Sequence, residues 1–445
     1  MKIDLQTIKE LELQKNDMHS MSIFEMMDLT STPGGKHKLK TLFRKPLQDI
    51  NTIRETQKAV KFMQENIHQW ELPIDSKLTD HLDVYYFSDS NPSIGKNVFA
   101  RFIESVSYRF IYKDFRSTFL NGTKHVIRFL KLIDKFRKQI FNDGFPELLN
   151  GYFLKIDEIH SILELTQALK VKSITKIGNV ELLRFDKVFR DTHKEKVLEL
   201  IDIIYELDVL VSQAKANIKY KLIFPDFVDS DQTVFETEGL YHLFVNKPID
   251  NDVYFGSEEN FIFLTGPNMA GKTTFLKACG VAVFLAHLGM GVSAKSMKLS
   301  YFSQLFTSLN VSDNLPKGYS YFYSEVRRVK DVANVLRENK TVFIIFDELF
   351  KGTNVKDAFE GSLKIIKKLS KWKNSFFLLS SHLLELGNEL KSEKSIRFMY
   401  FDSQVVKGKP VFNYKIKEGL SDERLGMLIL ENEGVFNLLE PEKKI

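Results

Sequence analysis

Residues 261–273 constrain this chain more than any other stretch. Phe261-Ile262-Phe263-Leu264 is a continuous apolar run of strand length. It feeds into Gly266-Pro267-Asn268-Met269-Ala270-Gly271-Lys272-Thr273, which satisfies the G-x-x-x-x-G-K-[ST] phosphate-loop pattern. A helical stretch over 272–290 follows, so the motif has the strand–loop–helix context that its chemistry requires. Glycine lets the chain curl until successive N–H groups converge on phosphate oxygens. The helix then turns its positive end towards the anion. Lys272 brings a point charge to the β- and γ-phosphates, and Thr273 brings a hydroxyl suited to Mg²⁺.

Two more runs share this texture. Val342 to Phe346 leads into Asp347-Glu348, and Phe376 to Leu379 leads into Ser380-Ser381-His382. Runs that are apolar throughout, not alternating, mark strands buried on both faces. Helical stretches at 324–338 and 357–372 and shorter strands near 398–401 and 411–416 complete an α/β pattern after Pro225. Ligands of open α/β sheets sit at the C-terminal strand edges. Asp347 is therefore expected to hold Mg²⁺ through water, and Glu348 to orient or deprotonate an attacking water. His382 ends its strand either as a γ-phosphate sensor or as an ordinary capped residue. Cys279, the one cysteine, falls on the apolar side of the helix after the loop and reads as core packing.

Before Pro225 the periodicity is helical. The clearest helix is 194–221, with Val197, Leu200, Ile201, Ile204, Leu207, Val211, Ala214 and Ile218 along one face. At 1.5 Å per residue it spans about 40 Å, and periodicity alone fits a lever or a bundle helix equally. The expected organisation is an all-α domain over 1–228 and an α/β domain over 229–445. In 445 residues, 63 Lys+Arg against 58 Asp+Glu give +5, which permits nucleic-acid contact without arguing for it. The 38 Phe against 2 Trp read as core filling, since the Phe fall within apolar periodic runs. The start carries Lys9-Glu10 in place of a leader's apolar core, and the apolar stretch 281–292 is too short to span a bilayer. A soluble, cytoplasmic protein without membrane contact is expected.

At the motifs above the sequence resembles the MutS family of DNA mismatch-repair ATPases, a branch of the ABC-type ATPases. Thr265-Gly266-Pro267-Asn268-Met269 with Gly271-Lys272-Thr273-Thr274 is close to the family's phosphate loop, with Ala270 where most members carry glycine. Asp347-Glu348 with Gly352-Thr353 and Asp357 is similar to its second acidic stretch. Ser381-His382 with Glu385-Leu386 resembles its Thr-His element, and Gly318-x-Ser320-x-Phe322-x-x-Glu325 its signature loop. Upstream, residues 205–212 look like the end of the family's lever helix, which favours a lever, and Asp28 to Gly35 like the start of its core domain. Lys415, Gly419, Ser421 and Gly426 resemble the tail of its ATPase domain.

The resemblance implies an ABC-type P-loop ATPase domain preceded by an all-α core and lever domain. It implies ATP with Mg²⁺ as ligands, Thr273 and Asp347 at the metal, and Glu348, Lys272 and His382 in catalysis. Ser320 would reach across a homodimer to the partner's nucleotide. Double-stranded or branched DNA and downstream repair proteins are the implied partners, and the Tyr241–Asn246 segment is the expected neighbourhood of the adenine. Lys36-His37-Lys38-x-Lys40 with Arg44-Lys45, and the lysines at 364–373, are candidate basic patches, although most such runs are solvated faces. The chain begins where the family's core domain begins, so the mismatch-reading and connector domains are expected to be missing and the clamp missing or reduced. Residues 431–445 leave no room for a nuclease-like extension. Thr307 to Asn310 replace a stretch where relatives carry arginine. Two other classes stay open: an ATP-gated scaffold for protein partners, and a transporter-type nucleotide-binding subunit, against which the absent Leu-Ser-Gly-Gly-Gln signature counts.

Overall fold

In the computed structural model the strands are β1 (Lys2–Ile3), β2 (Asp226–Phe227), β3 (Phe235–Leu240), β4 (Asn251–Phe255), β5 (Phe261–Thr265), β6 (Ser296–Leu299), β7 (Gln304–Ser308), β8 (Val342–Asp347), β9 (Phe376–Ser380), β10 (Ile396–Val406) and β11 (Lys409–Glu418). The structure describes residues 1–15, 21–87, 113–140, 144–229, 233–255, 258–309, 321–338, 340–406, 409–421 and 430–439. The three continuous apolar runs are β5, β8 and β9, buried at every position. They lie side by side in a seven-stranded sheet of order β1-β7-β8-β9-β5-β10-β11, parallel except for the β10/β11 hairpin. The register sets Asp347 opposite Ser380 and Ser380 opposite Leu264, which aligns the three strand ends at one edge. Phenylalanine fills this core as expected. Phe261 stacks on Phe377 at 5.6 Å and Phe255 on Phe376 at 4.5 Å.

The strands outside these runs were less visible. β3, β4 and β6 alternate buried and exposed residues in a second sheet of order β2-β6-β3-β4. β7 carries Gln, Thr and Ser beside its apolar residues yet is an inner strand. The final hairpin is longer than its apolar segments suggested, with 11 residues in β10 and 10 in β11.

The chain forms two compact units, one of residues 27–41 with 55–218 and the other of 1–26, 42–54 and 219–445. These units differ from a single division at 228/229 in where residues 1–26, 42–54 and 219–228 fall. Residues 1–26 join the α/β unit because β1 extends its sheet at β7 and because the Leu5–Glu10 helix supplies buried acceptors there. Glu10 accepts the Thr307 hydroxyl and the Leu309 N–H, and Arg328 donates to Asp4 at 2.6 Å and to the Thr307 carbonyl at 2.9 Å.

The other unit is helical. Its longest helices are Lys113–Gln139 and Lys194–Tyr220. The second matches the expected 194–221, but Ile218 is 45% exposed and leaves the anticipated face. Its second half also buries the polar Asp208, Ser212, Gln213 and Asn217 among Val209, Leu210, Val211, Ala214 and Ala216. Asp208 explains much of the Asp28 to Gly35 motif. Its carboxylate accepts the Ser31 N–H at 2.9 Å, the Thr32 N–H at 2.9 Å and the Thr32 hydroxyl at 2.7 Å, at the N-terminus of the Pro33–Arg44 helix. Burial pushes this carboxyl up, and the donors oppose it. A Cβ at Gly35 would lie 2.3 Å from Asp208 Oδ2, so only glycine allows the approach.

In the α/β unit, His287 is fully buried among Phe227, Tyr301 and Phe302. Nδ1 bonds the Val283 carbonyl at 2.7 Å and Nε2 accepts the Phe302 N–H at 2.9 Å, which fixes the neutral tautomer. Burial drives its pKa down to about 3 from 6.5. Between those values the unfolded chain holds a proton that the folded chain refuses, so stability is present above the upper value and lost as pH falls. Unfolding free energy is expected to drop by about 1.4 kcal/mol per pH unit from this residue alone. Urea titrations of wild type and His287→Gln at several pH values check this, and an unchanged slope in the variant contradicts it.

Candidate functional site

The aligned strand ends and the loop after β5 border a cleft of about 1120 Å³. The loop's conformation follows from its residues. Gly266 (φ +136°) and Gly271 (φ +102°) take up backbone that other residues rarely adopt, and Met269 (φ +68°) sits 75% exposed at the turn. A Cβ at Gly266 would stand 3.2 Å from three Phe401 atoms, two of them backbone. Ala270 is buried and outside the positive-φ set, so its departure from glycine costs the loop nothing. Asn268, Met269, Gly271, Lys272, Thr273 and Thr274 line the cleft; Gly266, Pro267 and Ala270 are not among its lining residues.

Lys272 opens the Lys272–Ala286 helix and is largely buried. Its ammonium donates to the carbonyls of Gly266 at 2.7 Å and Pro267 at 3.0 Å. Burial pulls its pKa down to about 8, against the opposing pull of Asp347 and Glu348. Thr273 Oγ1 donates to Asp347 Oδ2 at 2.8 Å, and the Ser380 hydroxyl donates to Asp347 Oδ1. A hydroxyl and a carboxylate converging in this way are hard oxygen donors, the class that suits Mg²⁺. Among the described residues no cluster of three His, Cys, Asp or Glu could hold a metal alone.

Glu348 turns out of β8 at φ +65°, with its N–H donating to the Ser380 carbonyl at 3.0 Å. His382 Nε2 lies 2.8 Å from its Oε1 and Lys351 Nζ 3.6 Å from its Oε2. Burial pushes this carboxyl up, but the His382 hydrogen bond and the charges of Lys351 and Lys272 outweigh it, holding the group below its ordinary range. Glu348 is thus an ionised acceptor at the cleft wall. The structure brings Lys272, Thr273, Asp347, Glu348 and His382 together; Ser320, Gly318, Asn310 and Gly426 lie outside the described residues.

Sequence reasoning gave no role to Ser380, which donates to Asp347, or to Lys351, which faces Glu348. It also missed the wall formed by Phe401, Phe412 and Tyr414. Tyr241, His242, Val245 and Asn246 border the same cleft. His242 accepts the Phe244 N–H at Nδ1, and burial lowers its pKa to about 4. Cys279 is fully buried and its thiol is pushed up by burial, in keeping with a packing role. In the Lys36–Lys45 run, Lys36 pairs with Asp28 at 2.7 Å, and Lys38 with Asp202 at 2.8 Å and Glu206 at 2.7 Å. Among the described residues no helix is long and apolar enough to cross a membrane.

Comparison with known proteins gives one consistent result. The family model of MutS domain III matches residues 6–214, and that of MutS domain V matches residues 262–439. The DNA mismatch repair protein MutS of Staphylococcus epidermidis is 30% identical over 244 residues, 54% of this chain and 28% of that protein. MutS of Aquifex pyrophilus is 23% identical over 525 residues, covering 98% of this chain and 60% of its own length. Human MutS protein homolog 4 is 28% identical over 296 residues, 62% of this chain and 31% of that protein. The matches therefore span between 28% and 60% of these relatives' length. The Aquifex alignment is longer than the chain itself, so that protein carries internal residues without a counterpart here.

Proposed function

The chain belongs to the MutS family, and from that premise we propose that it is a DNA-associated ATPase of the mismatch-repair type. In this reading it binds ATP with Mg²⁺ in the cleft beside Gly266–Thr274 and works as a homodimer. The supporting observation is the convergence, at one sheet edge, of a curled glycine loop, a buried ammonium, a hydroxyl–carboxylate pair and an ionised glutamate.

Hydrolysis at such a site is mostly positioning and electrostatics. Lys272 would exchange its two loop carbonyls for phosphate oxygens. Thr273 and Asp347 would hold Mg²⁺, which when bound neutralises charge on the β- and γ-phosphates. Ser380 fixes the Asp347 carboxylate while it does so. Glu348, kept ionised and oriented by His382, would align water for attack on the γ-phosphate. The cleft wall at 241–246 would accept the adenine. Ser320 of a second copy would complete the pocket, a role carried by the resemblance. The all-α unit, matched to domain III, would act as the lever that relays the nucleotide state to DNA, with downstream repair proteins responding.

Lys36 and Lys38 already have carboxylate partners, and this favours as a second reading an ATP-gated scaffold without nucleic acid. Binding to homoduplex, mismatched and four-way-junction DNA, with and without ATP, separates the two. Under the first reading one of these DNAs binds with ATP dependence, and its affinity falls at least tenfold between about 50 and 200 mM salt as counterions are released. Absence of binding to all three, or a flat salt response, rejects the DNA reading and leaves the scaffold.

A further inference from the structure

One buried carboxylate ties the Tyr321–Arg337 helix to the turn that carries Glu348. Glu325, 4% exposed, accepts the Lys351 N–H at 3.2 Å on one oxygen and the Gly352 N–H at 3.4 Å on the other. Three residues earlier on the same helix, Phe322 meets Phe350 edge to face at 5.4 Å. The segment so gripped is not relaxed. Glu348 and Phe350 have φ of +65° and +63°, a region where bulky L-residues persist only when their surroundings hold them. Two successive N–H groups turned onto one buried carboxyl group provide that hold.

The geometry points to Glu325 as a positioning residue for hydrolysis: it fixes the 348–352 turn so that the Glu348 carboxylate keeps its place at the cleft beside His382. Glu325 neither lines the cleft nor touches the reacting groups, so it acts through Glu348. The helix that carries it, Tyr321–Arg337, follows Ser320 directly in the sequence. This inference rests on the ATPase reading and adds to it the residue that sets the water-orienting group.

The test is steady-state and single-turnover ATP hydrolysis by wild type, Glu325→Gln, Glu348→Gln and the double variant, with nucleotide binding followed in parallel. The amide in Glu325→Gln turns a donor towards one of the two N–H groups. The expected loss in kcat is about 10- to 100-fold, the scale of a misplacement of about 1 Å. KM and nucleotide affinity are expected to stay within about threefold, because the loop and Lys272 are untouched. The double variant should be no slower than Glu348→Gln alone, since both changes remove one function. Wild-type kcat in Glu325→Gln, a parallel collapse of affinity, or losses that multiply in the double variant would each overturn the inference. Should the amide variant not fold, Glu325→Asp keeps the charge and shortens the reach. It is expected to lose about tenfold in kcat with KM unchanged, and wild-type kcat there overturns the inference equally. A wild-type chain that does not hydrolyse ATP overturns the ATPase reading itself; a hydrolysing wild type with a slow Glu348→Gln and unaffected Glu325 variants overturns the Glu325 assignment alone.

Discussion

A Glu348→Gln variant is expected to bind ATP as tightly as wild type and to hydrolyse it about 100- to 1000-fold more slowly, the range general-base and water-orienting groups contribute. The isosteric amide keeps the side chain's volume and one oxygen, so the turn from β8 and the Ser380 contact survive. It removes the negative charge that His382 and Lys351 now hold in place, and with it the acceptor for a water proton. Because Lys272, Thr273 and Asp347 are unchanged, affinity is expected to hold or to rise, with one anion fewer near the triphosphate. Single-turnover hydrolysis and equilibrium binding of a fluorescent nucleotide, measured on the same preparation, decide the matter. Hydrolysis at the wild-type rate removes Glu348 from the mechanism. Loss of binding and turnover together would assign it a structural role.

What could be read from the sequence and what could not divides along a physical line. β5, β8 and β9 were legible because strands buried on both faces cannot alternate, and the loop and carboxylates at their ends carry residue types tied to phosphate and metal chemistry. β7 was not, since its polar Thr307 is satisfied from residues about 300 positions away: the Thr7 hydroxyl accepts its N–H, and Glu10 accepts its hydroxyl. No local pattern announces a partner at that separation, and for the same reason the packing of residues 1–26 onto the α/β unit was not foreseen. Ile218 was misplaced by extrapolating the helical face past Ala214, where the last buried residues are Ala216 and Asn217. Glu325 stood within a recognised motif, but its task lies in the backbone N–H groups of Lys351 and Gly352, which sequence does not display. The neutral state of His287 depended likewise on two backbone partners.

The second large effect concerns Ser320 and the second copy. The groups assembled within one chain, Lys272 from the loop and Asp347, Glu348 and His382 from the strand ends, stand along a single cleft. A hydroxyl donated by a second copy would add a preorganised donor towards the charge that develops on the γ-phosphate, and removing one such donor costs about 100- to 1000-fold in rate. The same donor gives the nucleotide a share in holding two copies together, so turnover and association are expected to be linked. The most direct measurement is turnover per chain at saturating ATP as the protein is diluted, with sedimentation giving the fraction of dimer at each concentration and Ser320→Ala run alongside. The account predicts that turnover falls about 100-fold in step with dissociation, and that Ser320→Ala is slow even where it is dimeric. Undiminished turnover by strictly monomeric protein, with Ser320→Ala matching wild type, would contradict it.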